Sequence, residues 1–222
     1  MTGHVLTKAT LAPAAHNIGA LLAETSSVDG GHRLLWTLFP SDREARKKRD
    51  FLFRKVDDRT YYIVSPTTPV DMHRLWRLGP KPYAPKPMAG ERYSFILRAN
   101  PAISISQGNR QSIRADAVMH AKRTAKRDGK PWGRDEEAEA ALAWLYKRDE
   151  AIGVRFDREN CHTLNYVQAT LPHKNGESVE FSTVDYEGAF EVTDAGRLMT
   201  ALFNGIGKAK AFGCGLMLIR RL

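Results

Sequence analysis

The chain has 222 residues, which is enough for one large domain or two domains of about 100 residues each. Hydrophobic residues make up 42% of it, which argues against a disordered chain, and no apolar run approaches the roughly 18 residues of a membrane span. The 34 Lys and Arg exceed the 25 Asp and Glu, for a net charge of +9. This excess fits a polyanionic partner such as nucleic acid, and it fits equally a basic protein that has none.

The first part of the chain alternates predicted strands and helices. Alternating or β-branched and aromatic runs predict strands at 4–11, 51–56 and 61–65. The second and third of these look like a hairpin. Helices are predicted at 14–25 and at 71–78, the latter with Asp71 as its N-cap. Between them, residues 32–39 form a short apolar segment that Pro40 closes.

A proline-rich stretch gives the clearest internal boundary. Four prolines lie between Gly79 and Pro87, and such a stretch can continue neither a helix nor a central strand. It predicts a stiff, extended connector. The sequence therefore predicts an N-terminal domain at 1–79, a linker at 80–91 and a C-terminal domain at 92–222.

The second part repeats the pattern of the first. Strands are predicted at 92–98, 179–184, 189–192 and 216–219, with 179–184 and 189–192 paired. Helices are predicted at 136–148 and 195–204, the second capped by Thr193 and Asp194. Strand, helix, strand, strand, helix, strand is the ferredoxin-like order. The predicted fold class is α+β, with two tandem ferredoxin-like (βαββαβ) domains.

A glycine-rich segment, residues 205–215, follows the last predicted helix. It holds four glycines and two lysines within eleven residues: Gly205, Gly207, Gly213, Gly215, Lys208 and Lys210. Glycines allow a backbone to approach a ligand closely, and the lysines add cations beside it. The spacing matches neither a Walker loop nor a dinucleotide fingerprint. On spacing alone, a helix end followed by a bulged strand explains the segment equally well.

A basic run precedes the helix predicted at 136–148. Its eight cations are Arg110, Arg114, Lys122, Arg123, Lys126, Arg127, Lys130 and Arg134, opposed only by Asp116 and Asp128. If 115–128 is helical, the four central cations fall in two stripes at i,i+4 spacing. Like charges so close repel one another, and a phosphate backbone alongside relieves that cost. We interpret the run as a phosphate-binding face, with a solvated helix surface as the alternative.

The histidines are the natural candidates for proton transfer near neutral pH. Among the seven, His32 stands apart because it follows two glycines, precedes an apolar segment and has Arg33 beside it. The local sequence alone favours a histidine at a helix start with no role.

Metal and cofactor sites are not expected. Cys161 and Cys214 have no histidine nearby at metal-ligand spacing, which argues against structural zinc. The acidic segment 135–139 predicts the first turn of a helix rather than a two-metal site.

Two cysteines without a pattern are typical of a reducing compartment, and the N-terminal residues do not predict a signal peptide. We therefore expect a cytoplasmic protein.

Four stretches, His32–Pro40, Asp50–Arg54, Tyr93–Pro101 and 205–215, together resemble the CasE family of CRISPR RNA-processing endoribonucleases, within the RAMP superfamily. The resemblance implies two tandem ferredoxin-like domains with a repeat hairpin bound on a basic face between them. It implies cleavage on the 3′ side of the stem, with the product kept in a Cascade-type complex. It also implies that His32 is catalytic. Some members carry Tyr three residues before this histidine; here that position is Asp29, so a second proton-transfer group is not assigned.

The activity implied is a metal-independent transesterification. The RNA 2′-hydroxyl attacks the adjacent phosphorus and leaves a 2′,3′-cyclic phosphate, or a 3′-phosphate, and a 5′-hydroxyl. His32 would act as general base or general acid, and Arg33 or a loop lysine would stabilise developing charge. The alternative is a non-catalytic RNA-binding subunit of a ribonucleoprotein, since ferredoxin-like domains often bind RNA without cutting it. A DNA-binding protein is disfavoured because no helix-turn-helix or zinc pattern is present.

Overall fold

The fold is described from a computed structural model of the chain, over residues 3–12, 30–39, 51–108, 111–172 and 178–222. The helix predicted at 14–25 lies outside these ranges, as do Asp29 and Arg110. In the part of the chain that the structure describes, no helix is both long and apolar enough to cross a membrane.

The N-terminal sheet contains four antiparallel strands in the spatial order β2-β3-β1-β4. Its elements are β1 (His4–Leu11), helix α1 (Gly30–Trp36), β2 (Leu52–Lys55), β3 (Thr60–Ser65) and β4 (Trp76–Tyr83). The predicted first strand and the predicted hairpin are confirmed. Leu34, Leu35 and Leu38, in and just after α1, pack with buried side chains of the sheet such as Tyr61 and Ile63. The helix therefore lies over one face of this sheet.

The predicted helix at 71–78 is wrong. The Asp71 carboxylate accepts hydrogen bonds from the backbone N–H groups of Leu75 (3.1 Å) and Trp76 (2.7 Å), which closes a turn instead of capping a helix. Arg74 has a φ of +55°, a left-handed conformation that a right-handed helix cannot contain. Strand β4 begins at Trp76, which pairs with Leu11 of β1. Pairing with β1 thus outweighs the local preference for a helix.

The prolines predicted to form a connector begin inside this strand. Residues 80–83 pair with β1 as the last residues of β4, at the edge of the N-terminal sheet. An edge strand is where a sheet tolerates proline. The residues between the two sheets are therefore 84–91, and the domain boundaries at 79 and 91 remain a prediction.

The C-terminal sheet has the order β11-β5-β10-β8, with β9 paired to β10 outside this path. Its elements are β5 (Arg92–Ala99), β6 (Ala102–Gly108), β7 (Gln111–Asp116), α2 (Ala117–Arg127), α3 (Arg134–Tyr146), α4 (Asp149–Ile152), β8 (Val154–Phe156), β9 (His162–Pro172), β10 (Ser178–Val192), α5 (Ala195–Asn204), a 3₁₀ turn (Lys210–Phe212) and β11 (Met217–Arg221). Without the β6–β7 hairpin, α2, α4 and β9, the order is β5-α3-β8-β10-α5-β11. That order is βαββαβ. The N-terminal sheet has the same strand arrangement, with a turn in place of its second helix, so the α+β class with two tandem ferredoxin-like domains is confirmed.

Two strands predicted at 179–184 and 189–192 are one 15-residue strand, β10. Gly188 suggests a turn in the sequence. In the structure it instead allows the backbone at Asn160 to pass close to β10. A Cβ at this position would lie 2.6 Å from the carbonyl oxygen of Asn160. Glycine is therefore needed where the loop before β9 crosses β10. Strand β10 continues through Gly188 without a turn.

The two sheets share an apolar cluster. Leu52 and Val64 of the N-terminal sheet pack with Leu216, which lies just before β11, and Phe203 of α5 covers them. The main core of the C-terminal half lies between its sheet and helices α3 and α5. Packing between the halves thus joins β2 directly to the glycine-rich segment.

Candidate functional site

His32 lies on α1, at the surface where this helix meets the sheet. Gly31, just before it, is buried against β3: a Cβ there would lie 3.1 Å from the Tyr61 hydroxyl oxygen. Leu34 and Leu35 point into the core, His32 is half-buried and Arg33 is exposed. The helix therefore presents an imidazole and a guanidinium side by side at its outer edge.

Two contacts orient the imidazole. The Trp36 indole Nε1 donates a hydrogen bond to His32 Nε2 at 2.9 Å. The ring also stacks on Phe53 of β2, with centroids 6.0 Å apart and an angle of 11° between the planes. An indole N–H can only donate, so Nε2 carries a lone pair in this arrangement. While this bond is in place the lone pair is occupied, so Nε2 can take a proton from a substrate only after the indole N–H has moved away.

The glycine-rich segment lies against this helix. Its 3₁₀ turn, Lys210–Phe212, is next to both α1 and β2. Gly213 has a φ of +78°, and a Cβ there would lie 3.1 Å from Phe53 Cε2, on the ring that stacks with His32. A side chain at this position would push the loop away from the histidine. Both a positive φ and a close approach thus require glycine here.

The two lysines of the segment differ in their surroundings. Lys210 Nζ donates to the carbonyl oxygen of Asn204 at 2.5 Å, which ties the loop to the end of α5. Lys208 is exposed, and its backbone bridges that of Asn100 at the end of β5. The structure therefore brings the histidine helix and the loop together, with Lys208 as a solvent-facing cation and Lys210 partly used to hold the loop.

The basic run forms an exposed surface on β7 and α2. The predicted helix is present as Ala117–Arg127, and its N-cap is Asp116, which accepts from Met119 N at 2.7 Å. Its four cations, Lys122, Arg123, Lys126 and Arg127, are exposed, as is Arg114 on β7. These side chains are free of the core and can meet a phosphate backbone.

A groove of about 390 Å³ lies beside this surface. Arg114, His120, Arg123 and Phe181 of β10 are among the residues that line it. Phe181 stacks on Phe212 of the 3₁₀ turn, with ring centroids 4.8 Å apart. The groove therefore adjoins the glycine-rich segment through this pair of rings.

The cysteines are placed for packing rather than chemistry. Both are buried with free thiols, and burial raises the pKa of Cys161 to about 11 and that of Cys214 to about 12. Such thiols stay protonated at neutral pH and are poor nucleophiles. Across the described ranges, no group of three or more His, Cys, Asp or Glu is placed to hold a metal ion.

Trp36 is the neighbour of His32 that sequence reasoning did not single out. The signal was present, because residues four apart face each other on a helix and Trp36 is four residues after His32. The sequence suggested a helix start at His32 but gave the following apolar segment no helix of stated length, so this spacing carried no weight. His32 itself lies where the sequence placed it, on a helix beside Arg33.

Comparison with known proteins assigns the family. A family model described as CRISPR associated protein matches residues 5–221, nearly the whole chain. The chain belongs to this CRISPR-associated family. This chain is 28% identical over 191 residues to the CRISPR system Cascade subunit CasE of Escherichia coli strain K12. The match covers 84% of this chain and 88% of the CasE chain.

Two further comparisons agree. The CRISPR-associated endoribonuclease Cse3 of Thermus thermophilus is 27% identical over 203 residues, covering 85% of this chain and 80% of its relative. A solved structure of the CRISPR endoribonuclease Cse3 bound to a 19 nt RNA superimposes with a TM-score of 0.72. That match has 24% identity and covers 98% of this chain and 99% of the other. The family member therefore shares its whole fold with that protein.

Proposed function

We propose that this family member is an endoribonuclease that cuts repeat hairpins in CRISPR precursor transcripts to give mature guide RNAs. The observation that carries the proposal is the placement of His32. Its Nε2 lone pair is held by Trp36 and its ring is stacked on Phe53, beside a glycine-rich loop with lysines. The relatives reported above are named as a CRISPR endoribonuclease and a Cascade subunit, which supports the same activity here.

The reaction is an internal transesterification of RNA. The 2′-oxygen forms a bond to the adjacent phosphorus, the bond from phosphorus to the 5′-oxygen breaks, and a 2′,3′-cyclic phosphate and a 5′-hydroxyl result. One proton leaves the 2′-hydroxyl and one reaches the 5′-oxygen. His32 serves one of these transfers: as base once the Trp36 bond to Nε2 has opened, or as acid once protonated. Proton transfer of this kind contributes roughly 10²–10⁴-fold in rate.

Cations on the histidine helix and on the glycine-rich loop stabilise the charge that develops on the phosphate oxygens. Arg33 adjoins His32 in sequence and is exposed, and Lys208 is exposed on the neighbouring loop. Fixed positive groups aimed at a developing anion lower the barrier because they need no reorganisation during the reaction. The RNA supplies the nucleophile itself, so the proposed mechanism assigns no role to a metal or a cofactor.

The substrate lies on the cationic surface that leads to this site. The phosphates of the hairpin meet the exposed cations Arg114, Lys122, Arg123, Lys126 and Arg127. The groove that Phe181 helps to line leads the strand toward the loop, because Phe181 stacks on Phe212. Arg110 belongs to the same proposal and lies outside the described residues. After cutting, the product stays bound as part of a Cascade-type complex with its other subunits in the cytoplasm.

A gel assay with a labelled hairpin of the host's own CRISPR repeat tests the proposal. Wild type, His32→Ala and the control His73→Ala, which changes an exposed histidine on the turn before β4, are each mixed with it in excess EDTA. We expect wild type and the control to cut at one position, and His32→Ala to bind without cutting. A hairpin with a 2′-deoxy nucleotide at the cut position should be bound and left whole. Equal cutting by all three proteins, or normal cutting of the deoxy hairpin, contradicts the mechanism.

The bond from Trp36 favours a second candidate, a non-catalytic RNA-binding subunit. Nε2 already accepts a hydrogen bond, so the imidazole is engaged within the protein. In a pure binding protein His32 would pack against Phe53 and Trp36 and do no chemistry. Binding of the hairpin by both wild type and His32→Ala, with no cutting in EDTA or with added divalent metal, identifies this candidate.

A further inference from the structure

Two arginines from the motifs that carry the family resemblance converge on one carboxylate. Arg54 Nη2, on β2, donates to Asp185 Oδ1 at 3.0 Å. Arg98, on β5, donates through Nε to Oδ1 at 3.0 Å and through Nη2 to Oδ2 at 2.6 Å. The Asp185 side chain is 7% exposed and that of Arg54 is 13% exposed. Both carboxylate oxygens are therefore occupied in a site nearly closed to water.

This ion-pair network joins the two sheets. Arg98 and Asp185 face each other on paired strands of the C-terminal sheet, whereas Arg54 comes from the N-terminal sheet. The two bonds from Arg98 fix the direction of the carboxylate, and the Arg54 bond then links β2 to it. Removing one member of such a buried pair leaves the other charge without a partner, which makes the contact sensitive to substitution.

The backbone of β10 also aims Asp185. Pairing between β10 and β9 shifts its register between Val184 and Tyr186, with Asp185 at the irregularity. An irregularity of this kind bends a strand locally and redirects a side chain. The register shift within the C-terminal sheet thus helps to set the direction of the carboxylate that Arg54 binds.

Three consecutive residues of β2 each hold a different part of the site. Leu52 meets Gly205, where a Cβ would lie 2.7 Å from its Cδ2 atom. Phe53 stacks on His32 and lies against Gly213. Arg54 then binds Asp185. A shift of β2 along or away from the C-terminal sheet would move the ring under His32 relative to the glycine-rich loop.

We propose that Arg54 and Asp185 are positioning residues for cleavage. Their ion pair holds β2, and through Phe53 the imidazole of His32, at a fixed place relative to the loop. The inference rests on the proposed endoribonuclease activity and adds to it the device that keeps the two halves of the site in register. Misplacement of a reacting group by about 1 Å can cost roughly 10²-fold in rate.

The test compares variants by single-turnover cleavage at saturating enzyme, using the labelled repeat hairpin. Arg54→Met removes the charge and keeps much of the volume; its cleavage rate should fall roughly 10- to 100-fold, while the Kd for the hairpin stays within about threefold. Arg54→Lys should recover about tenfold of this loss, because one ammonium N–H can replace the single bond that Arg54 makes. The control Arg155→Met breaks an exposed pair with Glu191 on the same sheet and should change neither quantity.

A second readout follows His32 directly in the RNA-free protein. With ¹³C-labelled histidine, the ring C–H resonances of His32 should move in Arg54→Met and in Asp185→Asn, and stay in place in Arg155→Met. A merely structural role for the ion pair would lower thermal stability without moving the resonances of His32 in a folded variant. Unmoved resonances therefore overturn the proposal.

Two kinetic outcomes also overturn it. One is a saturating cleavage rate of Arg54→Met within twofold of wild type; the other is a loss confined to Kd, since Arg54 would then bind RNA instead of positioning His32. If Arg54→Met does not fold, Asp185→Asn and Arg54→Lys replace it, and rates within twofold of wild type for both are decisive against the proposal. If wild type cuts no RNA, the endoribonuclease proposal fails while the His32 resonances still decide whether the ion pair positions the ring.

Discussion

His32 and Trp36 stand one helical turn apart on α1, and this spacing gives the imidazole its hydrogen bond. Local sequence set His32 apart but favoured no role for it, and only the family resemblance implied that it is catalytic. In the structure its ring lies between an indole N–H and the Phe53 ring, and its catalytic role stays a prediction. Asp185 could not be predicted in this way. Its partners Arg54 and Arg98 lie 131 and 87 residues away, so no local pattern joins them.

Trp36→Phe tests the hydrogen bond to the imidazole. Phenylalanine keeps an aromatic ring near Phe51, whose centroid lies 5.1 Å from that of Trp36, but it has no N–H. We expect the single-turnover rate to fall roughly tenfold because the imidazole is no longer held in one direction, with Kd for the hairpin unchanged. A faster variant would show that the bond restrains the base instead of orienting it.

Among the secondary-structure elements, those with local signals were predicted well. The alternation of β1, the hairpin β2–β3, the cap of α5 by Asp194 and the acidic first turn of α3 are all visible in the sequence and present in the fold. The β6–β7 hairpin and β9 were missed. Their pairing partners, and not their composition, make them strands: β9 exists through its long pairing with β10.

Helix α2 gives a prediction about RNA binding. Arg123→Ala with Arg127→Ala removes two exposed cations from this helix and should weaken binding of the hairpin. Each lost phosphate contact should reduce the slope of log K against log salt by roughly one. The control is the pair Arg155→Ala and Arg220→Ala, which removes two exposed charges from the C-terminal sheet. A slope equal to that of wild type would take α2 out of the interface.

The cap of the same helix gives a prediction about pH. Asp116 caps α2 and accepts from the Tyr166 hydroxyl at 3.1 Å and from the Ser182 hydroxyl. Burial is the main cause that raises the pKa of its carboxyl above 3.8. The folded protein thus binds this proton more tightly than the unfolded chain, and the stability it contributes at low pH is lost as pH rises through the folded pKa.

Asp116→Asn does not titrate and keeps a good N-cap. Its free energy of unfolding relative to wild type should therefore rise as the pH increases above about 4, measured by urea denaturation at each pH. The matched control is Asp194→Asn at the cap of α5, whose side chain is 49% exposed. A difference from wild type that is the same at every pH would show that folding does not raise the pKa of the Asp116 carboxyl.

At the scale of the whole molecule, the division into two similar halves was readable from sequence. The strand β8, the turn in place of the second N-terminal helix and the way the halves join were not. The joint consists of Leu52, Val64 and Leu216, together with the ion pair between Arg54 and Asp185. None of these forms a motif on its own. Contacts between distant segments arise from the packing of completed sheets, which a pattern of local periodicity does not contain.

Leu216→Ala tests how much the joint contributes to stability. The side chain is buried in the cluster between the sheets, and removing a buried leucine costs about 2–5 kcal/mol. We expect a loss of this size in urea denaturation. The control Leu164→Ala, at a residue 58% exposed, should cost less than about 0.5 kcal/mol. A loss as small as that of the control would mean that the halves hold together without this cluster.

The proline-bearing strand β4 has a consequence for the behaviour of the protein in concentrated solution. It is the outer strand of the N-terminal sheet, and Pro80 and Pro82 lie within it opposite Thr7 and Val5 of β1. Because proline has no N–H, both residues fit positions whose donor would otherwise point outward, away from β1. A strand from another molecule would find two donors missing along that edge. The prolines that led the sequence to predict a connector instead of a strand thus protect the sheet from intermolecular β-aggregation.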